Sequence, residues 1–293
     1  MTTLANVPED KRPLVEQLVA ELSQVPGIAA IALGGSYASG RHHAMSDIDL
    51  GLYYFEAKPF SATDIRHIAD RVSNYGIPTV TDLYEWGPWV NGGAWIQTNV
   101  GKVDFLYRNL NQLQQTILEA HQGRTFHDYD QQPTYGFYSV IYLAEIHICV
   151  PLFDPDLHLA NLKRQVEMYP PKLKGKIIAD SLWSAEFTIL FARDFAARGD
   201  VYNTTGCLTR VTSNLTQALF ALNERYFIRD KGVMEEIATF SVLPIDYVFH
   251  VMRLLAHPGQ TVEELTHAVH ELEGVWRSVV SLAGKQYEPK FHV

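Results

Sequence analysis

Cysteine is nearly absent: Cys149 and Cys207 are the only two, and they lie in no metal-ligand spacing. A disulfide framework and a zinc site are therefore both excluded as organising principles. No apolar run approaches the length needed to span a bilayer. The opening stretch MTTLANVPEDKRP is polar and lacks the apolar core of a secretory leader, so a soluble, cytoplasmic, reduced protein is expected. Basic residues are in deficit, with 24 Lys and Arg against 33 Asp and Glu and a formal net charge of −9. That balance weighs against a protein whose task is gripping nucleic acid, because neutralising phosphates needs clustered Lys and Arg. It leaves room for a nucleotide, where a bound metal supplies much of the positive charge. There is no low-complexity tract, and 293 residues suffice for one large domain or two medium ones with proper cores.

What is present changes character along the chain. Leu14 to Leu22 reads as a short helix, and the apolar run Ile28 to Leu33 ends at Gly34-Gly35. Ile48 to Phe55 reads as a strand, and Ser61 is placed to cap a helix running to about Asn74. Thr79 to Tyr84 and Ala94 to Thr98 have the pattern of paired strands joined through the turn signal Asn91-Gly92-Gly93, and Lys102 to Tyr107 is a further strand. An α/β domain with an open, mixed sheet is expected over residues 1–125. Beyond it, Ile178, Leu182, Ala185, Ile189, Ala192 and Ala196 recur at steps of four and three. Leu208 to Leu222 and Val262 to Val279 carry the same kind of stripe, which is what core-facing sides of bundled helices require. Gly199-Asp200 separates the first stripe from the second, as an antiparallel pair would need. A helical bundle is expected over residues 126–293, with the border in the polar stretch QGRTFHDYDQQPT.

Chemistry concentrates in the first part. Leu33-Gly34-Gly35-Ser36-Tyr37-Ala38-Ser39-Gly40 is followed by Ser46-Asp47-Ile48-Asp49-Leu50. Two glycines after a strand let the backbone approach a ligand closely and aim N–H groups at a phosphate, to which the Ser36 hydroxyl can add. Residues two apart on a strand share a face, so Asp47 and Asp49 project together while Ile48, Leu50 and Leu52 pack behind them. Neighbouring carboxylates repel, and a hard divalent cation is the usual compensation. Val103-Asp104-Phe105 brings a third carboxylate on another strand. Three such acids form a platform for two magnesium ions, which together hold a triphosphate and stabilise an in-line displacement.

Gly-Gly-Ser, ten residues, Asp-Ile-Asp and a later apolar-Asp-apolar strand resemble the signature of the DNA polymerase β-like nucleotidyltransferase superfamily. That superfamily includes the kanamycin, streptomycin and lincosamide nucleotidyltransferases. The resemblance covers residues 33–50 and 102–107, and implies a mixed sheet flanked by helices with a helical domain behind it shaping an acceptor pocket. It implies that Gly35 and Ser36 hold nucleotide phosphates, that Asp47 and Asp49 bind magnesium, and that Asp104 completes the metal site and serves catalysis. A nucleoside triphosphate would be the co-substrate and a small molecule the acceptor.

Other residues are candidates with two readings each. Glu145 lies in the almost wholly apolar segment Tyr135 to Val150, where a carboxylate is either a general base of raised pKa or the partner of a nearby Arg. Aminoglycoside-type relatives are thought to draw such a base from the second domain. His147 reads first as a satisfied core histidine. Arg41, Lys102 and Arg108 lie near the acids in sequence, and Lys102 shares a strand face with Asp104, where it would meet a phosphate or balance the carboxylates. Lys172, Lys174 and Lys176 are either a solvated helix start or a triphosphate clamp. Trp86, Trp89 and Trp95 surround a glycine-rich turn and are either structural or a stacking surface for a ring. His42 and His43 stand in the loop before Asp47, solvated or close to the metals.

The function expected is transfer of a nucleoside monophosphate from a nucleoside triphosphate to a hydroxyl of a small molecule. Two other classes compete. A regulatory, antitoxin-like nucleotidyltransferase acting on a protein is typically shorter than this chain. A catalytically silent nucleotide-binding protein has no need to retain mutually repelling acids.

Overall fold

The computed structural model describes residues 4–43 and 45–291, so the first three residues of the polar opening stretch lie outside it. The chain divides into two units, one built from residues up to Glu119 together with Phe126–Met168, the other from Ala120–Thr125 and Tyr169 onward.

In the first unit, α1 (Arg12–Leu22) leads to β1 (Ala30–Leu33), the short α2 (Gly35–Ser39) and β2 (Ile48–Tyr54). Then come α3 (Ala62–Val72), β3 (Thr79–Val80), β4 (Gly93–Thr98), β5 (Gly101–Asn109) and α4 (Leu110–His121). A small hairpin, β6 (His127–Asp128) with β7 (Phe137–Tyr138), precedes α5 (Val140–Ile148), β8 (Val150–Phe153) and α6 (His158–Gln165). Six strands form one mixed sheet in the order β3-β4-β5-β2-β1-β8. Only β2 and β5 run parallel, with Asp49 opposite Asp104; β1–β2, β1–β8, β3–β4 and β4–β5 are antiparallel.

Alternation along the strands decides the two faces. Ile48, Leu50, Leu52 and Tyr54 of β2, Val103, Phe105 and Tyr107 of β5, and Ala94 and Ile96 of β4 pack into one core with Val15, Leu18 and Leu22 of α1 and Ile65, Ile68 and Val72 of α3. Each fully buried large side chain contributes roughly 1.5–3 kcal/mol, so this layer holds the register that aligns the acids on the opposite face. Ser61 caps α3 by accepting from the Thr63 N–H at 3.2 Å, as its sequence position suggests.

The border expected near residue 125 differs from the observed division. Residues 126–168 build onto the first unit, because β8 completes the sheet beside β1 and α5 packs against α2. β8 follows α5 directly and is too short and half-buried to announce itself as a strand. Thr79 to Tyr84 also yields only the two-residue β3, since the chain turns away at Thr81 to form the tryptophan-bearing loop.

The second unit is helical: α7 (Pro171–Ala197), α8 (Val201–Leu222), α9 (Val233–Ile237), α10 (Tyr247–Ala256) and α11 (Val262–Ala283). The three long helices bury the stripes visible in the sequence, except Val262 at the start of α11, which is exposed. Gly199, at φ +68°, ends α7, and the Asp200 carboxylate then caps α8 by accepting from Asn203 N–H at 3.0 Å. The Trp276 indole N–H donates to Leu182 O at 3.2 Å, fixing α11 on α7. Among the described residues no helix is long and apolar enough to cross a membrane.

Candidate active site

The turn between β1 and α2 is held against β2 by backbone. Gly34 N–H donates to Asp49 O at 2.8 Å, and Arg41 N–H closes α2 onto Ser36 O at 3.0 Å. Gly35 sits at φ +57°, and a Cβ there would come within 1.8 Å of Asp49 Oδ2. Glycine is thus required twice, for its dihedral and for the carboxylate lying against it. Asp47 stands just before β2, on a turn tied down by a residue that local sequence does not point to. The buried Lys11 ammonium donates to Ser46 O at 3.0 Å and lies 5.3 Å from the Tyr37 ring centroid, while Ser46 Oγ accepts from His43 N–H at 2.9 Å. Lys11 is 35 residues from Ser46, and no periodicity or motif links the two.

Rows of side chains cross the acid-bearing face. Gln97 of β4 is opposite Lys102 of β5, close to Asp47; Trp95 is opposite Asp104, which is opposite Asp49; Gly93 is opposite Leu106, which is opposite Gly51. The Lys102 ammonium joins two of the acids, 2.8 Å from Asp104 Oδ2 and 3.4 Å from Asp47 Oδ2. Burial pushes the Asp104 carboxyl above its ordinary value; Lys102 pulls it down and Asp47 pushes it up again. For Lys102 burial works against the charge, but Asp104 and Asp47 together raise its pKa overall. The two shifts differ in origin because the Asp104 side chain is 12% exposed and that of Lys102 is 30% exposed, so desolvation prevails only at the acid.

Residues 15–87 match the family model described as a nucleotidyltransferase domain. The first unit carries a nucleotidyltransferase domain of the polymerase β-like superfamily. The match contains Gly35, Ser36, Asp47 and Asp49 and ends before β5, so Asp104 enters the site through strand register alone. Residues 139–231 match a domain of unknown function, DUF4037. A nucleotidyltransferase-like protein from Exiguobacterium sibiricum is similar at 14% identity and a TM-score of 0.44, over 94% of this chain and 76% of that one, too distant to bear on mechanism. No curated protein matches the chain.

Around the nucleotidyltransferase domain's acids the remaining candidates separate. Among the described residues no three or more His, Cys, Asp or Glu side chains converge as a metal-holding group, and the cation standing between Asp47 and Asp104 is Lys102. The donor set nevertheless fits a hard divalent ion. It consists of carboxylate oxygens, two of which already hold a cation, and Asp104 Oδ1 is a buried acceptor with no hydrogen-bond partner among the described residues.

Glu145 takes the pairing alternative. Its two oxygens accept from Arg108 Nε and Nη2, each at 2.6 Å, in a bidentate pair. Arg108 is four residues beyond Asp104 on β5, or about 13 Å along the strand. Arg108 also donates to Val90 O and Tyr107 O, and its guanidinium lies 5.7 Å from the Tyr142 ring centroid. Burial opposes the guanidinium charge, yet Glu145 more than restores it. The carboxylate, for which a base and an Arg partner were both open, therefore ties α5 to β5.

His147 is exposed near the end of α5 and is not the core histidine expected, although its Nδ1 is hydrogen-bonded with Val166 O at 3.1 Å. Arg41 is exposed, and the His42 ring stacks on Tyr37 at 4.9 Å. Lys172, Lys174 and Lys176 lie within the first turns of α7; Lys174 pairs with Glu224 and Lys176 with Asp180, the helix-start reading. Trp89 is half-buried among Phe126, Phe137 and Tyr142 at 5.6–5.9 Å. Trp86 and Trp95 form a separate pair at 4.2 Å on the acid face.

Proposed function

We propose that this protein is a magnesium-dependent enzyme that transfers a nucleoside monophosphate from a nucleoside triphosphate to a hydroxyl of a small molecule. The observation that carries this reading is the register of Asp49 against Asp104 on parallel β2 and β5, with Asp47 beside them and Gly35 pressed on Asp49. Asp47, Asp49 and Asp104 would hold the magnesium. When bound, the metal supplies positive charge to the triphosphate and to the attacking and leaving oxygens.

The chain's own groups do the rest. Gly35 and Ser36 hold the leaving phosphates, and Lys102 and Arg41 add positive charge around them. The acceptor oxygen forms a bond to the α-phosphorus as the bond to the β-phosphate oxygen breaks, and pyrophosphate departs with that electron pair. The hydroxyl proton passes to Asp104. Glu145 pairs with Arg108, which lies on the acid-bearing face about 13 Å along β5 from Asp104, and does not touch the reacting atoms. The acidic net charge and the two-unit build support a small acceptor rather than nucleic acid.

Lys102, already paired with two acids, favours one second reading: a silent protein in which lysine replaces the metal for good. Calorimetry with a non-hydrolysable ATP or GTP analogue separates the two. Binding with magnesium and much weaker binding with chelator supports the enzyme; equal binding in both supports the silent protein. Incubation with each nucleoside triphosphate, magnesium and a metabolite library, read as pyrophosphate release, then identifies the acceptor.

A further inference from the structure

Along the acid face, the strand order sets what lies on either side of the carboxylates. The glycine turn follows β1, on one side of β2; Trp95 stands on β4, on the far side of β5. Going across the sheet, one meets Gly35, Asp49, Asp104 and then Trp95, whose Cα is the register partner of Asp104. Neighbouring strands are about 4.8 Å apart, so Trp95 is one strand from Asp104 and three strands, roughly 14 Å, from β1.

Trp95 is 39% exposed, although its strand neighbours Ala94 and Ile96 are fully buried in the core behind the sheet. Among the described residues its ring partner is Trp86, at 4.2 Å and 30°. Gly93 lies under this pair: a Cβ there would first strike Phe105 O at 2.1 Å and would also crowd the Trp86 ring at 3.1 Å. Two indoles therefore lie together on the face that carries the acids. An exposed indole shelf beside the carboxylates has no packing role in the core that stabilises the sheet, and it is the kind of surface on which flat rings stack.

Resting on the nucleotidyl-transfer reading above, we propose that the Trp86–Trp95 pair is the acceptor subsite, and that the acceptor carries an aromatic or heteroaromatic ring, neutral or cationic. An in-line displacement puts the attacking oxygen opposite the leaving one. With pyrophosphate at the Gly35 turn, the acceptor hydroxyl enters over Asp104 and the body of the acceptor lies over β4, on the shelf. The nucleobase is not needed there. Asp104, one strand from Trp95, disfavours an anionic ring, and Asp47 adds to this from beyond Lys102, whose single charge offsets one of the two acids.

The experiment uses the full chain labelled with 5-fluorotryptophan, with the Trp95 signal assigned through Trp95→Phe. It is saturated with magnesium and a non-hydrolysable ATP analogue, then titrated with tryptamine, benzyl alcohol or phenylacetate. The expected result is a shift of the Trp95 signal with tryptamine and benzyl alcohol and none with phenylacetate. Trp95→Ala should weaken tryptamine binding about ten-fold or more, the scale of ring stacking on an aromatic side chain. Trp95→Phe should retain most of it, and both variants should bind the nucleotide analogue within about two-fold of the parent. A Trp95 signal unmoved by every probe overturns the proposal. So does a loss of about ten-fold in nucleotide affinity in Trp95→Ala, which would give the shelf to the base instead. Failure of the parent to bind magnesium–nucleotide defeats the nucleotidyl-transfer reading separately, since the probe titration can be repeated without nucleotide.

Discussion

Changing Glu145 to Gln separates support of the site from chemistry in it. The Arg108 side chain is 6% exposed and that of Glu145 is 21% exposed, and the pair is bidentate at 2.6 Å. Breaking a buried ion pair by removing one partner typically costs about 3–5 kcal/mol, because the remaining charge stays desolvated. Glutamine retains one acceptor oxygen for the guanidinium, and a fifth of the site is wet, so about 2–3 kcal/mol is expected here. For a unit of this size each kcal/mol moves the midpoint by about 2–4 °C, giving a fall of about 4–12 °C. Differential scanning fluorimetry reads the midpoint, and hydrogen exchange shows whether the loosening centres on α5 and β5. Replacing both partners, Arg108→Met with Glu145→Leu, should recover most of the loss, since an apolar pair leaves no stranded charge. Magnesium–nucleotide binding should survive in Glu145→Gln. A midpoint within about one degree of the parent, together with abolished pyrophosphate release, would refute this account and restore Glu145 as the base.

Three other substitutions probe the acid face. Gly35→Ala forces a left-handed residue at about 1–2 kcal/mol and drives a methyl into the Asp49 carboxylate; magnesium–nucleotide binding should disappear by calorimetry while the circular dichroism stays that of the parent. Asp49→Asn should remove metal–nucleotide binding and activity together, whereas Asp104→Asn should leave nucleotide affinity within a few-fold and lower kcat by about two orders of magnitude, as expected for lost acid–base or metal assistance. Equal loss of binding in both variants would deny Asp104 a separate role. Lys102→Met removes the cation between Asp47 and Asp104, so magnesium should bind the nucleotide-free protein more tightly and the nucleoside triphosphate more weakly. Unchanged magnesium affinity would show that the lysine does not compete for the site.

Local pattern alone specified a good part of this protein. Strand period two assigned Asp47 and Asp49 to one face and Ile48, Leu50 and Leu52 to the other, and the steps of four and three gave the three long helices of the second unit. Gly35 of the Gly-Gly-Ser turn was legible because a left-handed dihedral leaves glycine as its trace in sequence. What depends on partners far along the chain was decided by tertiary structure. β8 becomes a strand because β1 offers it an edge, and that pairing carries residues 126–168 into the first unit. Glu145 had two readings until the fold brought Arg108 to it from 37 positions away. Lys11 reaches Ser46, and Trp95 comes to stand beside Asp104, only through packing and register. A sequence window records the periodicity of one element; it holds no information on which element will lie against it, because burial and ion pairing are set by the neighbour's side chains as much as by the residue's own.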